Sequence, residues 1–232
     1  MGNRAVITTY SVEPKDSTQI GVYLHWNGGR DSVEAFLKYC KLKGFRPPET
    51  DYYGWARLCQ VIGNFFGGGL SVGVGPCCNL DCDNYDNGTY IIKDWEIVGR
   101  KYFDARWEQH SHDLTEMLIA IDKAQPEKEQ LGEDFFKAKE VPIEEIKLGD
   151  IVFFYDSIYN KYEKCKVIGF GDNEYVNGVP TLNRPYVNKY GDEYVGCANN
   201  CNNYIRTDTI KISERKKPAV KVKPYKINGK AK

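Results

Sequence analysis

Histidine and methionine are scarce in this sequence, three and two among 232 residues. Histidines at only positions 25, 110 and 112 leave few ways to pair an imidazole with a nucleophile or to build a His-rich metal site, and catalysis finds no support in the residues. No run approaches the roughly 18–20 apolar residues of a membrane span. The start, MGNRAVITTYSVEPKD, has neither the long apolar stretch nor the cleavage pattern of a secretion signal, so a soluble, cytoplasmic protein is expected. Net charge is also missing: 32 Lys+Arg balance 32 Asp+Glu. With 41% hydrophobic residues, the chain is neither disordered nor fibrous.

The balance of charge hides an asymmetry. Residues 215–232 (RKKPAVKVKPYKINGKAK) hold 8 of the basic residues and no acidic one, which leaves 24 − 32 = −8 for the rest. An acidic body with a basic, Pro-containing tail over residues 214–232 points to a solvated terminus or one that orders on a partner such as nucleic acid. Eight cysteines in a mid-sized chain without a signal read as reduced thiols rather than a disulfide scaffold.

The periodicity predicts an α+β domain over residues 1–125, in the order ββααβββα with a mainly antiparallel sheet. Strands are expected at 5–9 and 19–26. After the Asn27-Gly28-Gly29-Arg30 turn, Asp31 and Glu34 carry the spacing of a capping box, and Val33, Phe36, Leu37 and Cys40 share one helical face. The second helix repeats the pattern with Trp55, Leu58, Cys59, Ile62, Phe65 and Phe66, and Gly67-Gly68-Gly69 ends it as C-cap glycines. Leu70, Val72 and Val74 read as a half-buried strand, and residues 89–98 as a hairpin turning around Lys93-Asp94. Asp113 and Glu116 cap a third helix with Leu114, Met117, Leu118 and Ile121 on its apolar face. A charged linker is expected over 126–145, with Phe135 and Phe136 docking a short helical turn. Short strands at regular spacing over 146–213 predict a small SH3-like β-barrel.

Three segments invite a functional reading. At His25, Asn27, Gly28, Gly29, Arg30 and Ser32 a strand runs through a glycine turn into a helix N-terminus, a place that offers amides and a positive dipole to an anion, with Arg30 as a bidentate partner. The spacing is neither G-x-G-x-x-G nor a Walker loop, and tight turns need glycine for backbone reasons alone. The loop 77–88 (CCNLDCDNYDNG) holds three thiols and three carboxylates. As a zinc site it would need Cys78 and Cys82 to join Cys197 and Cys201 from another unit, and as a calcium loop it is interrupted by Tyr85, so no metal or cofactor is expected and an Asx-rich turn is the simpler reading. Partner contacts are expected at Tyr155, Tyr159 and Tyr162, which can stack on bases or line a peptide groove, and at Lys216, Lys217, Lys221 and Lys223 of the tail.

The motifs HWNGGR and DNYDNG, with the stretches around them over residues 1–125, resemble a family of uncharacterised proteins found in bacteriophages, prophages and integrative elements of Gram-positive bacteria. The resemblance brings no catalytic residue. It implies a cytoplasmic accessory protein of a mobile element, in a setting where inhibitors of host defence are frequent. The expected function is therefore binding, with a bacterial nuclease complex or other defence component as partner. Two alternatives are a nucleotide- or phosphate-binding protein or enzyme using the turn from His25 to Ser32, and nucleic-acid binding through the barrel and tail.

Overall fold

A computed structural model of the protein describes residues 2–9, 19–69, 71–104, 108, 112–142, 145–156, 161–171, 179–187, 193–196 and 209–214. The chain divides into two compact units, Met1–Gly132 and Glu133–Lys232. Among the described residues no helix is long and apolar enough to cross a membrane.

The first unit is α+β, and its elements follow the order read from the sequence: β1 Ala5–Thr9, β2 Ile20–Leu24, α1 Arg30–Leu42, α2 Tyr52–Phe65, β3 Val72–Pro76, β4 Thr89–Lys93, β5 Glu96–Lys101 and α3 Leu114–Lys123. The sheet runs β3-β2-β1-β4-β5. It is mixed: β1 pairs β4 in parallel, and the other pairings are antiparallel. Ala5, Val6 and Ile7 at its centre are buried to 0% exposure, so both faces of β1 are covered. One face carries the helices, where Val33, Phe36, Leu37 and Cys40 of α1 and Leu58 and Ile62 of α2 are fully enclosed. On the other face lies the loop 77–88, whose Leu80 approaches so closely that a Cβ on Gly21 would sit 2.7 Å from its side chain. Burial of the Cys40 thiol pushes its pKa far up, as suits a cysteine used as a small hydrophobe.

Helix ends follow local chemistry in two of three cases. Asp51 accepts from the Tyr53 amide at 2.9 Å and Asp113 from the Glu116 amide at 2.9 Å, while Gly67 and Gly68 take positive φ after α2 and return amides to Asn64 and Gly63. The expected Asp31–Glu34 capping box does not form. Gly29 is the N-cap of α1 without a side-chain cap, Asp31 lies inside the first turn, and Glu34 pairs with Arg30 at 2.7 Å. Leu114, expected on the apolar face of α3, is 38% exposed, because the helix begins there and only its later turns reach the core. The β4–β5 hairpin turns at Asp94 and Trp95, both with positive φ, one residue beyond the expected pair. The Trp95 conformation is uncommon for a bulky residue; burial of its ring and a 2.8 Å bond from Nε1 to the Phe45 carbonyl hold it there. Leu70 lies outside the described residues.

Residues 126–145 divide between the units. A 3₁₀ turn at Glu127–Glu129 closes the first, and α4 Glu133–Lys137 with β6 Lys139–Pro142 opens the second. Buried Asp122 in α3 fastens the end of the first unit: its carboxylate accepts from the Tyr39 hydroxyl of α1 at 2.8 Å and from the amides of Leu131 and Gly132 at 2.8 and 2.9 Å. The second unit is built on a sheet in the order β10-β9-β8-β7-β11-β6, with β7 Ile151–Asp156, β8 Lys161–Gly171, β9 Val179–Val187, β10 Glu193–Gly196 and β11 Thr209–Glu214. All of its pairings are antiparallel. Fully buried Phe135 of α4 packs on Phe153 and Tyr162, with ring centroids 5.2 and 4.7 Å apart.

Replacing Asp122 by Ala strands a buried hydroxyl and two amides, and at about 1–3 kcal/mol per stranded group the unfolding free energy in urea should fall by about 3 kcal/mol. Tyr39→Phe leaves the two amide bonds intact and should cost about 1 kcal/mol.

Candidate functional site

The two sequence motifs meet on the same short stretch of chain, residues 2–5, where it enters β1. From one side the turn after β2 exchanges backbone bonds with Asn3: its amide donates to the His25 carbonyl at 3.1 Å, and its carbonyl accepts from the Gly28 amide at 2.8 Å. Gly28 lies so close that an added Cβ would stand 2.7 Å from the Asn3, Arg4 and Ala5 backbones. Glycine is required there for close approach, and its amide is already used.

From the other side comes the loop 83–88. Asn84, buried to 0%, organises it. Its Nδ2 donates to the carbonyls of Asp81 and Gly88, and its Oδ1 accepts from the amides of Asp86 and Gly88. All of these are local bonds of the Asx type. The loop then holds the entering strand: Asp86 takes the Arg4 amide at 3.2 Å and its Nε at 2.7 Å, and Asn87 donates to Asn3 Oδ1 and to the Arg4 carbonyl. Beneath, Arg100 is sandwiched between Phe103 and Tyr90, 3.3 and 4.3 Å from their ring centroids, and donates to Asn87 and Glu108. Tyr90 completes the connection with a 3.0 Å bond to the Gly28 carbonyl.

Around the HWNGGR turn the donors are largely spent. Arg30 is tied to Glu34. The Asp31 carboxylate sits at the positive end of α1, accepting from the Ser32 amide at 2.7 Å and the His112 amide at 2.9 Å. The chain's own anion thus occupies the place a phosphate would take. Asn27 Nδ2 reaches buried Ser32 Oγ at 3.5 Å. His25 and Trp26 point outward, with His25 Nδ1 3.4 Å from the Tyr23 hydroxyl and its ring edge-on to Trp26.

Next to the loop 83–88 and the entering strand opens a cleft of about 360 Å³, walled by Asn3, Asp83, Asp86, Asp104, Tyr85 and Tyr102. Tyr85 and Tyr102 are 89% and 58% exposed, and both have a φ of 56°, a conformation uncommon for a bulky residue. Burial alone would raise the Asp86 carboxyl, but hydrogen bonds from the Arg4 side chain and amide and the guanidinium charge outweigh it and hold it below the usual carboxylate range. The cleft therefore presents carboxylates and aromatic rings together, a combination suited to a cation.

This cleft escaped sequence reading. Asp83, Tyr85 and Asp86 lay in a recognised loop, but nothing local showed that Tyr85 faces outward or that Tyr102 and Asp104 stand opposite. Of the other expected contacts, Tyr162 is half-buried against Phe135, the side chain of Tyr155 is not described, and Tyr159, Lys216, Lys217, Lys221 and Lys223 lie outside the described residues, as do His110, Cys197 and Cys201. Among the described residues no three His, Cys, Asp or Glu side chains are grouped to hold a metal.

Gly88→Ala would place a Cβ 2.2 Å from the Lys101 carbonyl at a φ of +65° and should destabilise the protein by about 3 kcal/mol or more. Gly63→Ala, in α2 with open space around its Cβ, should stabilise it by about 0.5–1 kcal/mol; thermal unfolding of the pair checks both. Because the Asp86 carboxyl is lowered on folding, its stabilisation is present above about pH 4 and is lost as pH falls through its folded value. Asp86→Asn should thus be less stable than the parent at pH 7, with the gap closing towards pH 2 in urea titrations. Comparison of the chain with protein-family models, with curated proteins and with solved structures found no match in any of the three.

Proposed function

We propose that the protein acts by binding, and that its first unit grips a basic surface of a partner protein in the cleft walled by Asp83, Asp104, Tyr85 and Tyr102. The observation that carries this reading is the pairing of carboxylates with two outward tyrosine rings on one concavity. A Lys or Arg side chain entering it gains an ion pair and a cation–π contact worth about 0.5–2 kcal/mol, and the first unit's own charge, 14 Lys+Arg against 18 Asp+Glu or −4, favours its approach. Proteins that handle nucleic acid carry such basic surfaces. This fits the expected role of a mobile-element accessory protein working in the cytoplasm of a bacterial host, where it would occupy a nuclease complex or another defence component. The second unit would close as a small SH3-like barrel and, with Tyr155, Tyr159 and the basic tail, supply a second contact.

Affinity purification from host cells with mass spectrometry identifies the partner, and anisotropy with a labelled oligo-arginine peptide tests the cleft. Tyr85→Ala together with Asp83→Asn and Asp104→Asn should weaken peptide binding about tenfold or more, equivalent to about 1.4 kcal/mol or above, and added salt should weaken binding by the parent protein. Equal affinity of parent and variant would remove the cleft from the reading.

A further inference from the structure

Cys77 and Cys82 face each other at the base of the loop that walls the cleft. Their sulfurs are 3.5 Å apart, and the Cys82 thiol also lies 3.3 Å from the Cys77 carbonyl. Backbone bonds impose this approach. The 3₁₀ turn at Cys77–Asn79 returns the Leu80 amide to the Cys77 carbonyl, and the Cys82 amide then returns to the Leu80 carbonyl at 2.8 Å, so the chain doubles back within six residues. Both ends are tied down, the Cys77 amide on the carbonyl of Gln19 just before β2 and the Cys82 carbonyl on the Thr89 hydroxyl of β4. Both thiols are half-buried, within reach of a small reagent. A disulfide needs a sulfur separation of about 2.05 Å, so the remaining approach is about one and a half ångströms.

We propose that Cys77 and Cys82 are a reversible oxidation site that a low-molecular-weight disulfide such as glutathione disulfide converts to an intramolecular bridge. The Cys82 thiolate attacks one sulfur of the reagent, forming a mixed disulfide and expelling one thiolate. Cys77 then loses its proton and attacks the Cys82 sulfur, expelling the second thiolate. Two protein thiols lose two protons and two electrons, and one reagent disulfide leaves as two thiols. Burial and the neighbouring Cys82 push the Cys77 thiol up to about 11, which makes it the weaker first nucleophile of the two at neutral pH and leaves it the resolving role. The bridge closes a ring of six residues directly before Asp83 and Asn84, and so ties the wall of the cleft to the redox state of its surroundings. The oxidation chemistry itself does not depend on what the cleft binds.

The test uses the full chain, reduced and then exposed to glutathione disulfide. Intact mass should fall by two hydrogens, and digestion before aspartate should release the dipeptide of Asp81 and Cys82 linked to the peptide ending at Leu80. The Cys78→Ser variant should give the same bridge, which assigns it to Cys77 rather than its exposed neighbour, and dithiothreitol should reverse it. Cys77→Ser should stop at a glutathione adduct on Cys82, with circular dichroism confirming that the variant is folded. A parent protein that gains only glutathione adducts, stays unmodified, or links Cys78 to Cys82 would overturn the proposal. Peptide binding compared between the oxidised and reduced forms is a separate readout of the cleft.

Discussion

Asn3 and Arg4, just ahead of the central strand, are held from both sides by segments that are remote in the sequence. The turn at 25–28 bonds the Asn3 amide and carbonyl, and the loop at 84–88 bonds the Arg4 amide, carbonyl and guanidinium. Each grip is a set of bonds between part-buried polar groups, worth about 0.5–1.5 kcal/mol each. The set lies directly ahead of the residues through which β1 pairs with β2 on one side and with β4 on the other, and continues both alignments beyond the strand.

The same constraint explains why the polar richness of both motifs is mostly spent within the fold. Asn84 uses its amide and carbonyl on its own loop, Asp86 neutralises Arg4, Arg100 is consumed by Asn87, Glu108 and two aromatic rings, and Asp31 caps the space a phosphate would need. A loop locked in this way can hold residues in conformations that would be costly elsewhere. Tyr85 and Tyr102 stand at positive φ with their rings in solvent, and the surrounding network is what over-determines them. The two thiols beneath the loop are apposed by the same economy of turns.

Legibility varied with the range of the interaction. Helices α1, α2 and α3 were readable because apolar residues recur at 3.6-residue spacing and bury one face, and Asp113 and Gly67 act on amides and carbonyls within a turn of themselves. Asp31 has the composition of a cap but serves as an acceptor for His112, 81 residues away, a competition no local pattern displays. Trp95 turns the hairpin although its size disfavours positive φ, since the Phe45 carbonyl and the core reward its indole. The parallel pairing of β1 with β4 was hidden for the same reason, because nothing within either strand names a partner 83 residues away, as Val6 and Thr89 are.

The amino-acid order by itself set which segments become helices and strands and how charge is distributed, since these depend on residues within a few positions of one another. The folded chain decided which of those pieces touch. It brought Asn87 to Asn3, 84 residues apart, turned two anonymous tyrosines into the walls of an acidic cleft, and set two loop thiols face to face. Such contacts arise only when burial of the sheet faces brings distant segments together, and no stretch of sequence holds both partners within its own reach.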